Sequence, residues 1–227
     1  MRVTNLFEDR YDEGVVILSR ISGSTSQPAS VVLNKEHDLN LYHNGTLLHN
    51  FVCSPAALDE LCVGWLLSEG YQADLVEILQ DGQTATVQGL SPISTDPDIA
   101  PSTRKVTATA QEMLTLFNQA SDKYCRSHGI HECVLKGNGW QILRTDIGRH
   151  NAIDKAVGAA HMAGHDLAGA VMFTSGRINV QTVKKAARCK LSCLMSKAVI
   201  TAEALALAEQ LGLEILFSVI ENSYMTK

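Results

Sequence analysis

An excess of positive charge, a long apolar run and a paired-cysteine motif are all missing from this sequence of 227 residues. Lys and Arg number 19 against 24 Asp and Glu, a formal charge of -5, which argues against general binding to nucleic acid or an anionic membrane, both of which favour a basic face. Any anion site must therefore be local. No apolar stretch approaches the roughly 18 residues that a spanning helix needs. The opening residues, Met1-Arg2-Val3-Thr4-Asn5-Leu6-Phe7-Glu8-Asp9, lack the apolar centre of a secretory signal. The expectation is a cytoplasmic protein with no membrane and no nucleic acid among its partners. The six cysteines, Cys53, Cys62, Cys125, Cys133, Cys189 and Cys193, are scattered, and none forms the C-x-x-C pair of zinc knuckles and dithiol redox sites. Cys62 and Cys189 sit inside apolar helical patterns and read as core. His43 and His49 flank a turn without a cysteine or carboxylate motif beside them, so no metal site is expected.

What is present is regular. Residues 14–21 and 38–52 read as strands, the second folded into a hairpin at Asn44-Gly45. Ser54-Pro55 marks a helix start, and Leu58, Leu61, Cys62 and Trp65 form a stripe that stops at Gly70. From Leu90 to Thr103 the chain is rich in Pro, Ser, Thr and Asp, which favours a loop. A domain boundary is placed there: residues 1–105 form a smaller α+β domain, and residues 106–227 a larger one. Thr109 and Glu112 have the spacing of a capping box, followed by an amphipathic stripe of Met113, Leu116, Phe117, Ala120 and Tyr124. Beyond it, strand patterns near 133–136, 140–144, 168–174, 191–195 and 213–219 alternate with helical ones. That order predicts an α/β domain with a mostly parallel sheet covered on both faces.

Chemistry concentrates where strands give way to helices. Asp146-Ile147-Gly148-Arg149-His150 ends one strand and opens a helix, and Thr174-Ser175-Gly176-Arg177 does so again. A helix start leaves backbone N–H groups unpaired and carries partial positive charge, and a guanidinium adds a forked donor, so both turns suit a phosphate. Ser196-Lys197 and Ser218 to Asn222 also follow strands. In open sheets of this kind the carboxyl ends share one edge and form the ligand crevice. The expected binding residues are thus Asp146, Gly148, Arg149, His150, Ser175, Gly176, Arg177, Ser196, Lys197, Ser218 and Asn222. Asp146 is further expected to cap the helix or to hold Arg149 or His150. Asp146 and Asp154 lie eight residues apart in the numbering and are expected to be structural or orienting residues rather than a catalytic acid/base pair.

The segments Asp146 to Lys155, Ser175-Gly176-Arg177-Ile178 and Ser54 to Gly70 resemble the FdhD family of formate dehydrogenase accessory proteins, and His128-Gly129-Ile130-His131 matches more loosely. The resemblance runs from about Leu33 to Leu216. It implies a cytidine-deaminase-like three-layer domain, a homodimer, and binding of molybdopterin guanine dinucleotide. It also implies sulfur transfer from a cysteine desulfurase to that cofactor before insertion into formate dehydrogenase. Deaminase activity does not carry over: His131-Glu132 is not H-x-E, no P-C-x-x-C exists to hold zinc, and no zinc is expected. The family carries its persulfide on a C-x-x-C in a loop that corresponds to residues 91–107, which contain no cysteine here. Either another thiol substitutes, with Cys125 and Cys133 nearest the His128 and His131 pair, or the protein binds the cofactor without carrying sulfur. The turn from Ser218 to Asn222 also lacks the family's basic glycine-arginine pattern.

Overall fold

The computed structural model describes residues 1–8, 14–93, 108–124, 129–221 and 223–226. The chain opens with β1 (Arg2–Asn5) and a long hairpin of β2 (Gly14–Ser22) and β3 (Thr25–Leu33), which pair only with each other. β4 (His37–His43) and β5 (Thr46–Cys53) form the expected hairpin, with Asn44 and Gly45 at φ 50 and 77. The helix α1 (Leu58–Ser68) follows, then β6 (Tyr71–Gln72), β7 (Leu75–Ile78), β8 (Thr84–Gln88) and β9 (Ser91–Pro92). β1, β7, β8, β4 and β5 make a five-stranded sheet in that order. Alternation along β4 and β7 turns Leu39, Leu41, Val76 and Ile78 inward, onto Leu58, Leu61 and Leu66 of α1. The helix begins at Leu58 rather than at Pro55, after Ala57 in the left-handed region at φ 53.

The second half supplies α2 (Ala110–Tyr124), β10 (His131–Gly137), β11 (Trp140–Asp146), α3 (Arg149–Met162), β12 (Val171–Thr174), α4 (Val180–Arg188), β13 (Cys193–Ser196), α5 (Ala202–Gln210), β14 (Glu214–Ile220) and β15 (Ser223–Thr226). The capping box at the start of α2 is formed, the Thr109 N–H and the Glu112 N–H each donating to the other residue's side chain. A six-stranded sheet runs β11-β10-β12-β13-β14-β15. Only the β12–β13 and β13–β14 pairs are parallel, which corrects the expectation of a mostly parallel sheet. The cause is local. Asn138-Gly139, with Gly139 at φ 78, closes a two-residue turn that folds β11 back on β10, and β15 folds back on β14. Two antiparallel steps restore direction, so β11 runs the same way as β12, β13 and β14, and the four carboxyl ends share one edge.

Three layers result. One face of the sheet is covered by α3, α4 and α5 through Ile153, Val157, Val183 and Ala204. The other face is covered by α2, whose Met113, Leu114 and Phe117 pack with Val134, Phe173 and Leu216. The two sheets fall on either side of the expected boundary, although residue 105 itself lies outside the described residues. They are joined by a crossing of α1 on α3, where a Cβ on Gly64 would overlap the Asp154 carbonyl and one on Gly158 the Glu60 carbonyl. Glycine at both positions lets the backbones touch. No described helix is long and apolar enough to cross a membrane.

Candidate functional site: an anion turn at the carboxyl edge

The turn after β11 is built around Asp146, which is fully buried. Its carboxylate pairs with Lys155 at 2.6 Å and accepts the N–H groups of Ser54 at 3.0 Å and Gly148 at 2.8 Å and the Asn151 amide at 3.0 Å. Lys155, equally buried, also donates to the Ser54 carbonyl at 3.1 Å, and the Ile147 N–H donates to Ser54 Oγ. Two charges out of water hold because each is matched and hydrogen-bonded. This corrects the placing of Asp146 among the ligand-binding residues: its oxygens are spent on pinning the 54 and 146 segments together. The orienting role stands, with Lys155, Asn151 and backbone as partners instead of Arg149 or His150. Gly148 belongs to the same scaffold, because a Cβ there would press on the Asn151 amide at 2.7 Å.

Arg149 starts α3, whose N-cap Gly148 supplies no side-chain cap. Its side chain lies along Gly176, where a Cβ would meet Arg149 Cβ at 2.9 Å and Cδ at 3.1 Å. The Arg149 Nε is buried and finds no hydrogen-bond partner among the described residues. A buried donor left unpaired costs free energy. Beside it, Ser175 Oγ lies 3.2 Å from His131 Nδ1 and accepts the Glu132 N–H at 3.0 Å. Burial, and then the Arg149 charge, push the His131 imidazole below its usual range. Arg149, Ser175, Gly176 and His131 therefore meet at one corner, with the Arg149 charge beside the imidazole.

The remaining expected residues divide. Arg177 is exposed on the solvent side of the second turn. The start of α4 is closed, because Asn179 Oδ1 caps the Thr182 N–H at 2.9 Å, so the two helix starts are not equivalent. His150 turns toward α4 and meets that same Asn179 oxygen at 3.3 Å, with burial first among the causes that lower its pKa. Ser196 is a correction: it is fully buried, donates to the Gly176 carbonyl at 2.7 Å and accepts the Ala198 N–H, joining two loops instead of facing a ligand. Lys197 is exposed but leans away, donating to Asn118 at 2.9 Å and lying over the Phe117 ring. Ser218 occupies the left-handed region at φ 52, at a register shift in β14. Asn222 lies outside the described residues.

One cysteine is a correction as well, while Cys62 and Cys189 lie in the core as their patterns predict. Cys133 is fully buried inside β10, and burial drives its thiol upward in pKa, the reverse of what a sulfur-carrying thiolate needs. Burial likewise raises Cys62, and raises Cys53 and Cys189 to about 12. Cys125, and His128 with it, lie outside the described residues. Asp154 is orienting in a different sense: buried with Lys185, it accepts from that ammonium at 2.9 and 3.0 Å and from Ser68 Oγ at 2.7 Å. His131 was not expected beside Arg149 and Ser175. The signal that places it there is Asn138-Gly139, since the hairpin register sets His131 opposite Asp146.

The FdhD/NarQ family matches residues 82–225 of this chain. The sulfur carrier protein FdhD of Wolinella succinogenes is 30% identical, across 90% of this chain and 83% of its own length. That of Staphylococcus haemolyticus is 26% identical, across 95% of this chain and 90% of its own. A crystal structure of a putative formate dehydrogenase accessory protein from Desulfotalea psychrophila superimposes with a TM-score of 0.80 over 94% of this chain and 96% of its own, at 20% identity, which speaks to the fold.

Proposed function

The chain belongs to the FdhD/NarQ family, and from that premise we propose that it serves formate dehydrogenase maturation by holding molybdopterin guanine dinucleotide at the Arg149 corner. The observation that carries this reading is the buried, unpartnered Arg149 Nε beside Gly176 and Ser175. A diphosphate oxygen satisfies that donor, and the uncapped start of α3 adds partial positive charge. The cofactor is cargo to be handed to the dehydrogenase. In this proposal the three layers take the cytidine-deaminase-like arrangement and two copies associate as a homodimer in the cytoplasm.

Sulfur transfer from a cysteine desulfurase is the second reading, favoured by the name that the relatives carry. It falls on Cys125, because the five other thiols are buried. Calorimetry with guanosine diphosphate, a fragment of the cofactor, tests the first reading. Arg149→Ala is expected to weaken binding by about 1.5–3 kcal/mol, roughly ten- to a hundredfold. Equal affinity in the variant would overturn the site. For the second reading, incubation with a desulfurase and free cysteine is expected to add one sulfur atom to the Cys125 peptide by mass spectrometry. No adduct there, with guanosine diphosphate still bound, leaves non-covalent cofactor handling.

A further inference from the structure

The ribbon of β2 and β3 stands away from the rest of the chain. Each strand has nine residues, paired from Gly14 opposite Leu33 to Ser22 opposite Thr25. Neither strand pairs with another, and none of the ribbon's described side chains joins the three core clusters. A two-stranded ribbon on its own is marginal in water, because it has no layer to pack against. This one also presents apolar side chains to solvent: Ile17 and Ile21 are 76% and 74% exposed. The register sets both on one face, with Ser19, Ser26, Pro28 and Ser30 around them, while Arg20, the ribbon's one charged residue, lies on the other. Covering the isoleucine face therefore buries no charge. Pro28 has no N–H for a further strand, so β3 is a poor edge to extend and the isoleucine face is what the ribbon offers.

A second apolar surface lies at the end of the six-stranded sheet opposite the Arg149 turn. At the amino ends of β12 and β13, a groove of about 510 Å³ opens between the first turn of α2 and the β14–β15 hairpin. Val171, Met195, Leu216 and Val219 form its apolar floor, and Ile220 and Tyr224, 60% and 52% exposed, line it as well. Area decides what fills it. At about 3.4 Å per residue and 4.8 Å per strand, the ribbon's face is about 30 Å long and 10 Å wide, so that face and the surface under it bury roughly 600 Å². One ribbon laid on an unrelated protein falls short of the roughly 1,200 Å² of a specific interface, whereas two ribbons exchanged about a twofold axis reach it.

We infer that two copies of this chain exchange these ribbons, each laying Ile17 and Ile21 on the groove between α2 and β15 of the other. The inference rests on the homodimer of the proposed function and names the element that makes it. Sedimentation of the full chain is expected to give twice the mass of one copy. Ile17→Glu combined with Ile21→Glu, which touches no core side chain, is expected to weaken association at least about a hundredfold with an unchanged circular dichroism spectrum. Tyr224→Glu is expected to weaken it from the side of the groove. In an equal mixture of heavy-isotope and unlabelled chains, p-benzoylphenylalanine in place of Ser24, at the ribbon's tip, is expected to cross-link to residues 192–195 or 214–220 of the other copy. A wild-type monomer would overturn this inference together with the homodimer. A dimer that persists in either glutamate variant, a cross-link within one copy, or one outside the groove would overturn the exchange and leave the homodimer standing.

Discussion

The two buried lysines among the described residues each meet a carboxylate, and each is also tied to a segment far along the chain. Lys155 meets Asp146 and the Ser54 carbonyl, and Lys185 meets Asp154, Glu69 and Ser68. Arg149 Nε, at the carboxyl edge, is buried without such a partner among the described residues. Removing one member of a buried pair exposes the cost of the other, so Asp154→Ala is expected to destabilise by about 3–5 kcal/mol. Urea denaturation checks this, and a loss under about 1 kcal/mol would mean that Glu69 alone suffices for Lys185. The thiols follow the same logic of burial. Native-state labelling with a thiol reagent is expected to leave Cys53, Cys62, Cys133, Cys189 and Cys193 unmodified, while all six react after unfolding. Rapid native modification of Cys133 would restore it as a carrier.

At the scale of elements, the crossing of α1 on α3 ties the five-stranded sheet to the three-layer unit. Gly64→Ala or Gly158→Ala places a methyl against helix backbone, which cannot rotate aside as a side chain can. Overpacking of this kind costs about 1–3 kcal/mol, and backbone contact puts it at the upper end. Chemical denaturation that shows either alanine to be neutral would mean that the helices separate freely. This crossing was not legible in the sequence, where a glycine inside a helix reads only as lost propensity. The strand pattern of β4, the Asn44-Gly45 turn, the capping box of α2 and the strand-to-helix turn after β11 were legible, because each depends on neighbours in sequence. Asn138-Gly139 carried the same hairpin signal, and it decides the sheet's direction and the position of His131. Burial of Ser196 and Cys133 was not legible, since both depend on what packs over the sheet edge.

Across the whole molecule, the end of α1 is held to α4 by charge. Glu69 receives Lys185 at 3.0 Å and Arg188 at 2.9 Å, and Arg188 also donates to the Ser68 carbonyl. Burial alone would raise the Glu69 carboxyl, but the charges and hydrogen bonds of Lys185 and Arg188 outweigh it and hold the group below its ordinary range. A carboxyl with a depressed pKa in the folded state adds stability above its unfolded value, and loses it as pH falls through the folded value. The joint between the two units is thus expected to weaken in acid, beginning below about pH 4.5 and completing lower. Comparing melting temperatures of the wild type and Glu69→Gln isolates the contribution. The gap between them is expected to be constant from neutral pH down to the ordinary glutamate range, and to close below it as the wild-type carboxyl takes up its proton. A gap that shows no narrowing at any pH below the ordinary glutamate range at which the protein stays folded would show that Glu69 holds α4 by shape and hydrogen bonding rather than by charge.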